Sequence, residues 1–130
     1  MADTSSERVK ALNHTLDILN AMADLNGASV TELAEEVGIS KSAIYKHLTT
    51  LEQRGYVVRL ADDRCDLGIQ WLRYGEYARD RLFPLQRIQT TMRELANETE
   101  ELVLFSTLTN GASMPIYTLR HDYFNKSISA

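Results

Sequence analysis

Apolar residues recur at helical spacing through the first half of the chain, and the rhythm changes near its end. From Arg8 to Asp24, Val9, Leu12, Leu16, Leu19 and Ala23 return every three or four positions, which predicts an amphipathic helix. Leu25-Asn26-Gly27-Ala28 closes it, with Gly27 suited to a left-handed cap. Ser29 then opens a short helix: its hydroxyl can accept from the first free N–H groups, and Glu32 can reach back to complete a capping box. Leu33, Ala34 and Val37 form the inner stripe of that helix, Gly38 supplies the turn, and Ser40 caps a third helix whose inner stripe is Ile44, Leu48 and Leu51. Ala34 is small where two helices must pack across a short turn. A wheel at about 100° per residue sends Ser42, Lys46, Thr49 and Gln53 outward, flanked by Tyr45 and Thr50, with Lys41 in the first turn.

Gly55 breaks the third helix. Tyr56 to Leu60 has the β-branched and aromatic content of a strand, Ala61 to Arg64 reads as a turn, and Cys65-Asp66-Leu67 as a short returning strand. Three helices and a small hairpin describe a winged helix-turn-helix. From Gly68 the stretch IQWLRYGEYARDRLF is helical again, with Ile69, Trp71, Leu72, Tyr74, Gly75, Ala78 and Leu82 giving a broad apolar face. Two readings fit that face: packing back on the wing, or a helix of a second chain. Pro84 starts a further helix carrying Leu85, Ile88, Met92 and Leu95, which Asn97 to Glu100 ends. Leu102 to Leu108 and Met114 to Leu119 are then strands joined by the turn signal Asn110-Gly111. A lone hairpin is marginal in water, so it needs cover from the helices, from another subunit, or from sequence not present here. The fold class expected is mainly α: a winged helix-turn-helix over 1–67, linker and dimerisation helices over 68–99, and a short β-hairpin over 100–130.

Composition fits a soluble globular chain, 44% hydrophobic and 25% charged over 130 residues. No apolar run approaches the roughly 20 residues that span a bilayer. The start, MADTSSERVK, is polar like a frayed tail and unlike a secretory signal. A single cysteine, Cys65, permits no internal disulfide and agrees with a reducing cytoplasm. The sequons at Asn13, Asn97 and Asn125 carry no meaning without secretion.

The net charge of −4 weighs against nucleic acid until it is read by segment. Residues 1–39 carry Arg8 and Lys10 against seven acids, whereas 40–64 set Lys41, Lys46, Arg54, Arg59 and Arg64 against Glu52, Asp62 and Asp63, a net of +2. The basic excess falls on the third helix and the wing, where phosphate contact is a local matter. It is small enough that tight binding calls for two copies. For Arg59 and Arg64, phosphate contact and solvated hairpin charges stand as equal readings, because Asp62 and Asp63 would repel phosphate.

Chemistry-bearing motifs are missing. The sequence holds no G-x-S-x-G, H-E-x-x-H, P-loop or GxGxxG, so nothing in it supports an enzyme or a cofactor. His14, His47, His121 and Cys65 lack zinc-ligand spacing. His14 is read as solvated, His47 as packed on the flank of the third helix, and Cys65 as a small apolar filler.

The order of elements, and the stretches VTELAEEVGISKSAIYKHLTTLEQRGYV, CDLG at Cys65–Gly68, WLRYGEYA and ELANETEELVLFSTLTNGASMPIY, resemble the IclR family of transcriptional regulators from about Val9 to Leu119. Two departures stand out. The family commonly has an aromatic residue where Cys65 lies, and its members continue into a large α/β effector domain. The resemblance therefore implies that the ligand pocket is not complete within these residues, whether the chain is a fragment or a short regulator. The function expected is sequence-specific regulation by a cytoplasmic homodimer on double-stranded DNA with a roughly palindromic operator. Lys41, Ser42, Ala43, Tyr45, Lys46 and Thr49 would face the major groove, and Arg54, Arg59 and Arg64 the backbone. Ile69, Trp71, Leu72, Tyr74, Ala78 and Leu82 would join the copies. The competing class is a winged-helix protein-interaction module that does not touch DNA, which the acidic overall charge favours.

Overall fold

A computed structural model describes residues 8–120, so the tail 1–7 and the last ten residues, His121 and Asn125 among them, lie outside the described part. The elements are α1 (Lys10–Asp24), α2 (Val30–Val37), α3 (Lys41–Gln53), β1 (Val57–Arg59), β2 (Cys65–Leu67), α4 (Gln70–Leu82), α5 (Leu85–Thr99), β3 (Val103–Thr109) and β4 (Ala112–Leu119). They divide into two compact units, one up to Tyr74 and one from Gly75, with the division falling inside α4.

The first unit is built on local capping. Ser29 and Glu32 form the reciprocal capping box of α2, with the Ser29 hydroxyl accepting from the Glu32 N–H and Glu32 from the Ser29 N–H. Gly38 ends α2 at φ +82°, and Ser40 caps α3 by accepting from the Ala43 N–H at 3.1 Å. With the two helix ends set in this way, Ile18, Leu19, Ala21 and Met22 of α1 meet Leu33, Ile44 and Leu48 in one core, which Ala28, Val57 and Cys65 complete. The wing is the antiparallel pair β1–β2, with Val57 opposite Leu67 and Arg59 opposite Cys65. Ala28 extends it by one bridge, exchanging N–H···O bonds of 2.9 and 2.8 Å with Cys65. Cys65 fills the core, as its place on the wing implied, and a bulky aromatic there would have to displace buried neighbours.

One sequence expectation for this unit fails. Val9, Leu12 and Leu16 are each more than half exposed, and Ala23 is exposed too. Leu19 alone of the predicted stripe is buried. The helix carries two overlapping apolar stripes, and α2 and β2 cover the one at its C-terminal half, through Ile18 and Met22. The periodicity was helical in either case, and only packing could choose the face.

Gly68 marks the exit from the wing. Its N–H donates to the Tyr56 carbonyl at 2.9 Å, and a Cβ at Gly68 would sit 2.3 Å from the Gly55 carbonyl oxygen. Trp71 then turns inward against the core, its indole N–H donating to the Tyr56 carbonyl at 2.8 Å.

In the second unit β3 and β4 pair antiparallel through the Asn110-Gly111 turn, where both residues have positive φ. A bulge falls between Phe105 and Ser106. Met92 and Ala96 of α5 are buried, Phe83 packs edge-on to Phe105 at 5.5 Å, and the Arg79 guanidinium lies 5.8 Å from the centre of the Tyr117 ring. Leu104 and Leu108 face outward.

Candidate nucleic-acid interface

The capped first turn of α3 presents Lys41, Ser42, Tyr45 and Lys46 to solvent, while Ala43 is half-buried between them. Thr49, which the wheel placed at the centre of the outer face, is also half-buried, and its hydroxyl donates back to the Tyr45 carbonyl at 2.9 Å. That bond uses its one proton and leaves only acceptor capacity. Lys41, Lys46 and Arg54 are exposed, and among the described residues none of the three enters an ion pair. Three exposed cations without an ion pair therefore stand on α3 and its C-terminal end, while Arg8 and Lys10 at the start of α1 and Arg73 of α4 are likewise exposed outside any ion pair among the described residues.

The wing arginines behave differently. Arg59 donates to Glu52 of α3 at 3.2 Å, a contact that raises the Arg59 pKa, with Tyr45 of α3 also acting on it electrostatically. Arg64 donates to Glu32 of α2 at 2.8 Å and to the Gly27 carbonyl. The sequence left phosphate contact and solvated hairpin charges as equal readings for both; the fold engages each with a carboxylate inside the chain. Glu32 was legible as a capping residue. That it also holds Arg64 was not, because the two are 32 positions apart and meet only through tertiary packing. The Ser29 N–H, then the Ser29 hydroxyl and Arg64, keep the Glu32 carboxyl below the usual carboxylate range.

Behind α3, His47 Nδ1 lies 2.9 Å from the Thr15 hydroxyl of α1. That hydroxyl donates its proton to the Ala11 carbonyl, so the proton shared with His47 belongs to Nδ1. Burial, and then the neighbouring His14, lower the His47 pKa. The packed reading of His47 agrees with this arrangement. His14 is not fully solvated as expected: it is half-buried and edge-on to His47, with ring centres 6.3 Å apart.

Of the six residues assigned to self-association, Trp71 and Tyr74 are engaged within the chain. Tyr74 stacks on Tyr56 and shares a 2.9 Å hydroxyl bond with it, which raises the Tyr56 pKa and, together with Arg73, lowers that of Tyr74. Ile69, Leu72, Ala78 and Leu82 are exposed, and so is Tyr77, which the sequence reading did not include. No residue of α4 is buried. Among the described residues, no group of three or more His, Cys, Asp or Glu side chains is placed to hold a metal, and no helix is long and apolar enough to cross a membrane.

Residues 11–61, from α1 to the wing, match the model of the IclR helix-turn-helix domain. An uncharacterized HTH-type transcriptional regulator of Bacillus cereus (strain ZK / E33L) is 30% identical over 110 residues, covering 81% of this chain and 74% of the relative. The chain belongs to the IclR family. Its relatives there are HTH-type transcriptional regulators, not enzymes. KdgR of Escherichia coli (strain K12), an HTH-type transcriptional regulator, is 25% identical over 122 residues, covering 93% of this chain and 46% of its own length. The crystal structure of an IclR family regulator from Brucella abortus shares the fold, with a TM-score of 0.81 at 20% identity over 95% of this chain and 47% of that one. The chain thus spans less than half the length of KdgR and of the Brucella protein.

Proposed function

We propose that this chain is a cytoplasmic, DNA-binding regulator that works as a homodimer on a roughly palindromic operator. The exposed, unpaired cations of α3 support the reading of DNA. Lys41, Ser42, Tyr45 and Lys46 carry the major-groove contacts, Ala43 and Thr49 contribute shape and an acceptor, and Arg54 meets the backbone. The winged domain through Leu67 reads the site, and the helices over 68–99 join two copies.

The observation that carries the dimer is α4. It is 13 residues long and amphipathic, yet beyond the half-buried Trp71 its apolar side chains are uncovered: Leu82 is 74% exposed, Leu72 and Tyr77 are exposed too, and so is Ile69 just before it, at 77%. An amphipathic helix of this kind acquires stability by covering its apolar face, and a two-fold copy is the simplest cover.

Duplex selected from a random pool tests both parts. The recovered site should be an inverted repeat with half-sites about one helical turn, or a multiple of it, apart. Lys46→Ala should weaken binding to that site by about 1–3 kcal/mol at fixed salt, and unchanged affinity removes Lys46 from the contact set. Leu72→Glu should convert a dimer to a monomer in light scattering, and a wild-type monomer at micromolar concentration defeats the dimer. The acidic overall charge and the internally paired wing arginines favour one other reading, a protein-interaction module. Its signature is the absence of any salt-dependent binding to duplex.

A further inference from the structure

The wing tip carries two acids that the reading of α3 leaves unexplained. Asp62 and Asp63 are exposed, and both stand in the left-handed region at φ +65° and +57°. Neither enters an ion pair among the described residues. The two cations that flank them in sequence cannot offset them toward an external anion, because Arg59 is held by Glu52 and Arg64 by Glu32 and the Gly27 carbonyl. Both ion pairs are partly exposed and individually weak. Their weakness does not restore positive charge, however: swinging Arg59 from Glu52 to a phosphate frees a carboxylate beside the same phosphate. The charge that the wing tip shows a polyanion is therefore the two tip carboxylates, and the half-buried Asp66 of β2 adds no positive charge to offset them.

The wing also lies where a duplex on α3 would meet it. Arg59 of β1 reaches Glu52 and comes within electrostatic range of Tyr45, both on the exposed side of α3.

We infer that Asp62 and Asp63 make the wing a repulsive element, which lowers the affinity of the winged domain for any duplex and leaves binding dependent on α3. This rests on the DNA reading proposed above. It reverses the role the sequence reading offered for the hairpin, in which Arg59 and Arg64 attracted the backbone. Because the carboxylates oppose phosphates and not bases, their effect should be uniform across sequences, and salt should screen it.

Asn is the suitable probe. It is isosteric with Asp, removes the charge, and is among the few residues that tolerate left-handed backbone. The experiment compares the full chain with the double variant Asp62→Asn, Asp63→Asn, titrated by fluorescence anisotropy against a labelled random-sequence duplex of about 30 base pairs from low to high salt. Unchanged thermal melting confirms that the variant keeps its fold. The double variant should bind on the order of fivefold to twentyfold tighter at low salt, with the gap closing as salt rises. Equal or weaker binding by the variant, beside salt-dependent binding by the wild type, overturns the repulsive wing and leaves the DNA reading standing. If neither protein binds in a salt-dependent way, the DNA reading fails and the repulsive wing fails with it.

Discussion

The winged unit and the C-terminal unit contain similar proportions of apolar sequence, yet they use it differently. The first gathers ten buried residues from three helices, the α1–α2 loop and the wing into one cluster. The second buries Met92 and Ala96, and leaves Leu102, Leu104, Leu108 and Met114 exposed on or beside a two-stranded sheet. A third helix and a wing close the first core from every side, whereas one helix over one hairpin leaves the second sheet with an open face and two open edges. Helical amphipathicity is therefore enough to make elements, and only a sufficient number of them around one point makes a core.

The sharpest way to break that comparison is to remove the same atoms from each unit. Leu48→Ala in the first core should cost about 2–5 kcal/mol, because a fully buried side chain leaves a cavity. Leu108→Ala on the outer face of the hairpin should change stability by no more than about 0.5 kcal/mol. Urea titration of both variants checks this, and comparable losses would mean that the hairpin face is covered in solution.

A smaller effect probes how far local capping sustains the winged unit. Ser29→Ala removes the hydroxyl half of the capping box and should cost about 1 kcal/mol. Glu32 would keep its contact with Arg64, so the wing should remain anchored. Exchange of the Cys65 amide, which donates to Ala28, reads that directly. Equal destabilisation of the Cys65 and Glu32 amides would show cap and wing to be one unit.

The smallest effect concerns pH. His47 has a pKa below its unfolded value of about 6.5, first through burial and then through His14. The unfolded chain therefore binds the proton more readily. The contribution of His47 to stability is fully present above that value and is lost as pH falls toward its folded pKa. Glu32, whose pKa is also lowered, loses its contribution in a separate, more acidic window. The melting temperature of the wild type should fall more steeply between pH 7.5 and 5.5 than that of His47→Asn, a variant that retains a donor near Nδ1. Parallel curves would show that the α1–α3 contact does not titrate.

Much of the fold could be read from residues close in sequence. Ser29 with Glu32, Gly38, Ser40, and Asn110 with Gly111 act over two to four positions, and each takes the role its local chemistry dictates. The exposure of Lys41 and Lys46 was legible in the same way, because a helical wheel is a local construction. It did not reveal the bond that turns the Thr49 hydroxyl back to the helix, nor the glutamate partners of Arg59 and Arg64, which lie 7 and 32 positions away. The contacts of Trp71 and Tyr74 were hidden for the same reason, since their apolar surface suits a second chain and the chain's own Tyr56 equally well.

By itself, then, the sequence determined where helices and strands begin and end, which face of α3 is polar, and the family to which the chain belongs. Tertiary structure alone decided which stripe of α1 is buried, which cations remain free, and that Arg59 and Arg64 of the wing are each engaged by a glutamate of the chain. Caps and periodicity act within a few residues, where the chain has few alternatives. The choice of partner for a long charged or aromatic side chain depends on what packing brings near it, and one-dimensional spacing does not encode that neighbourhood.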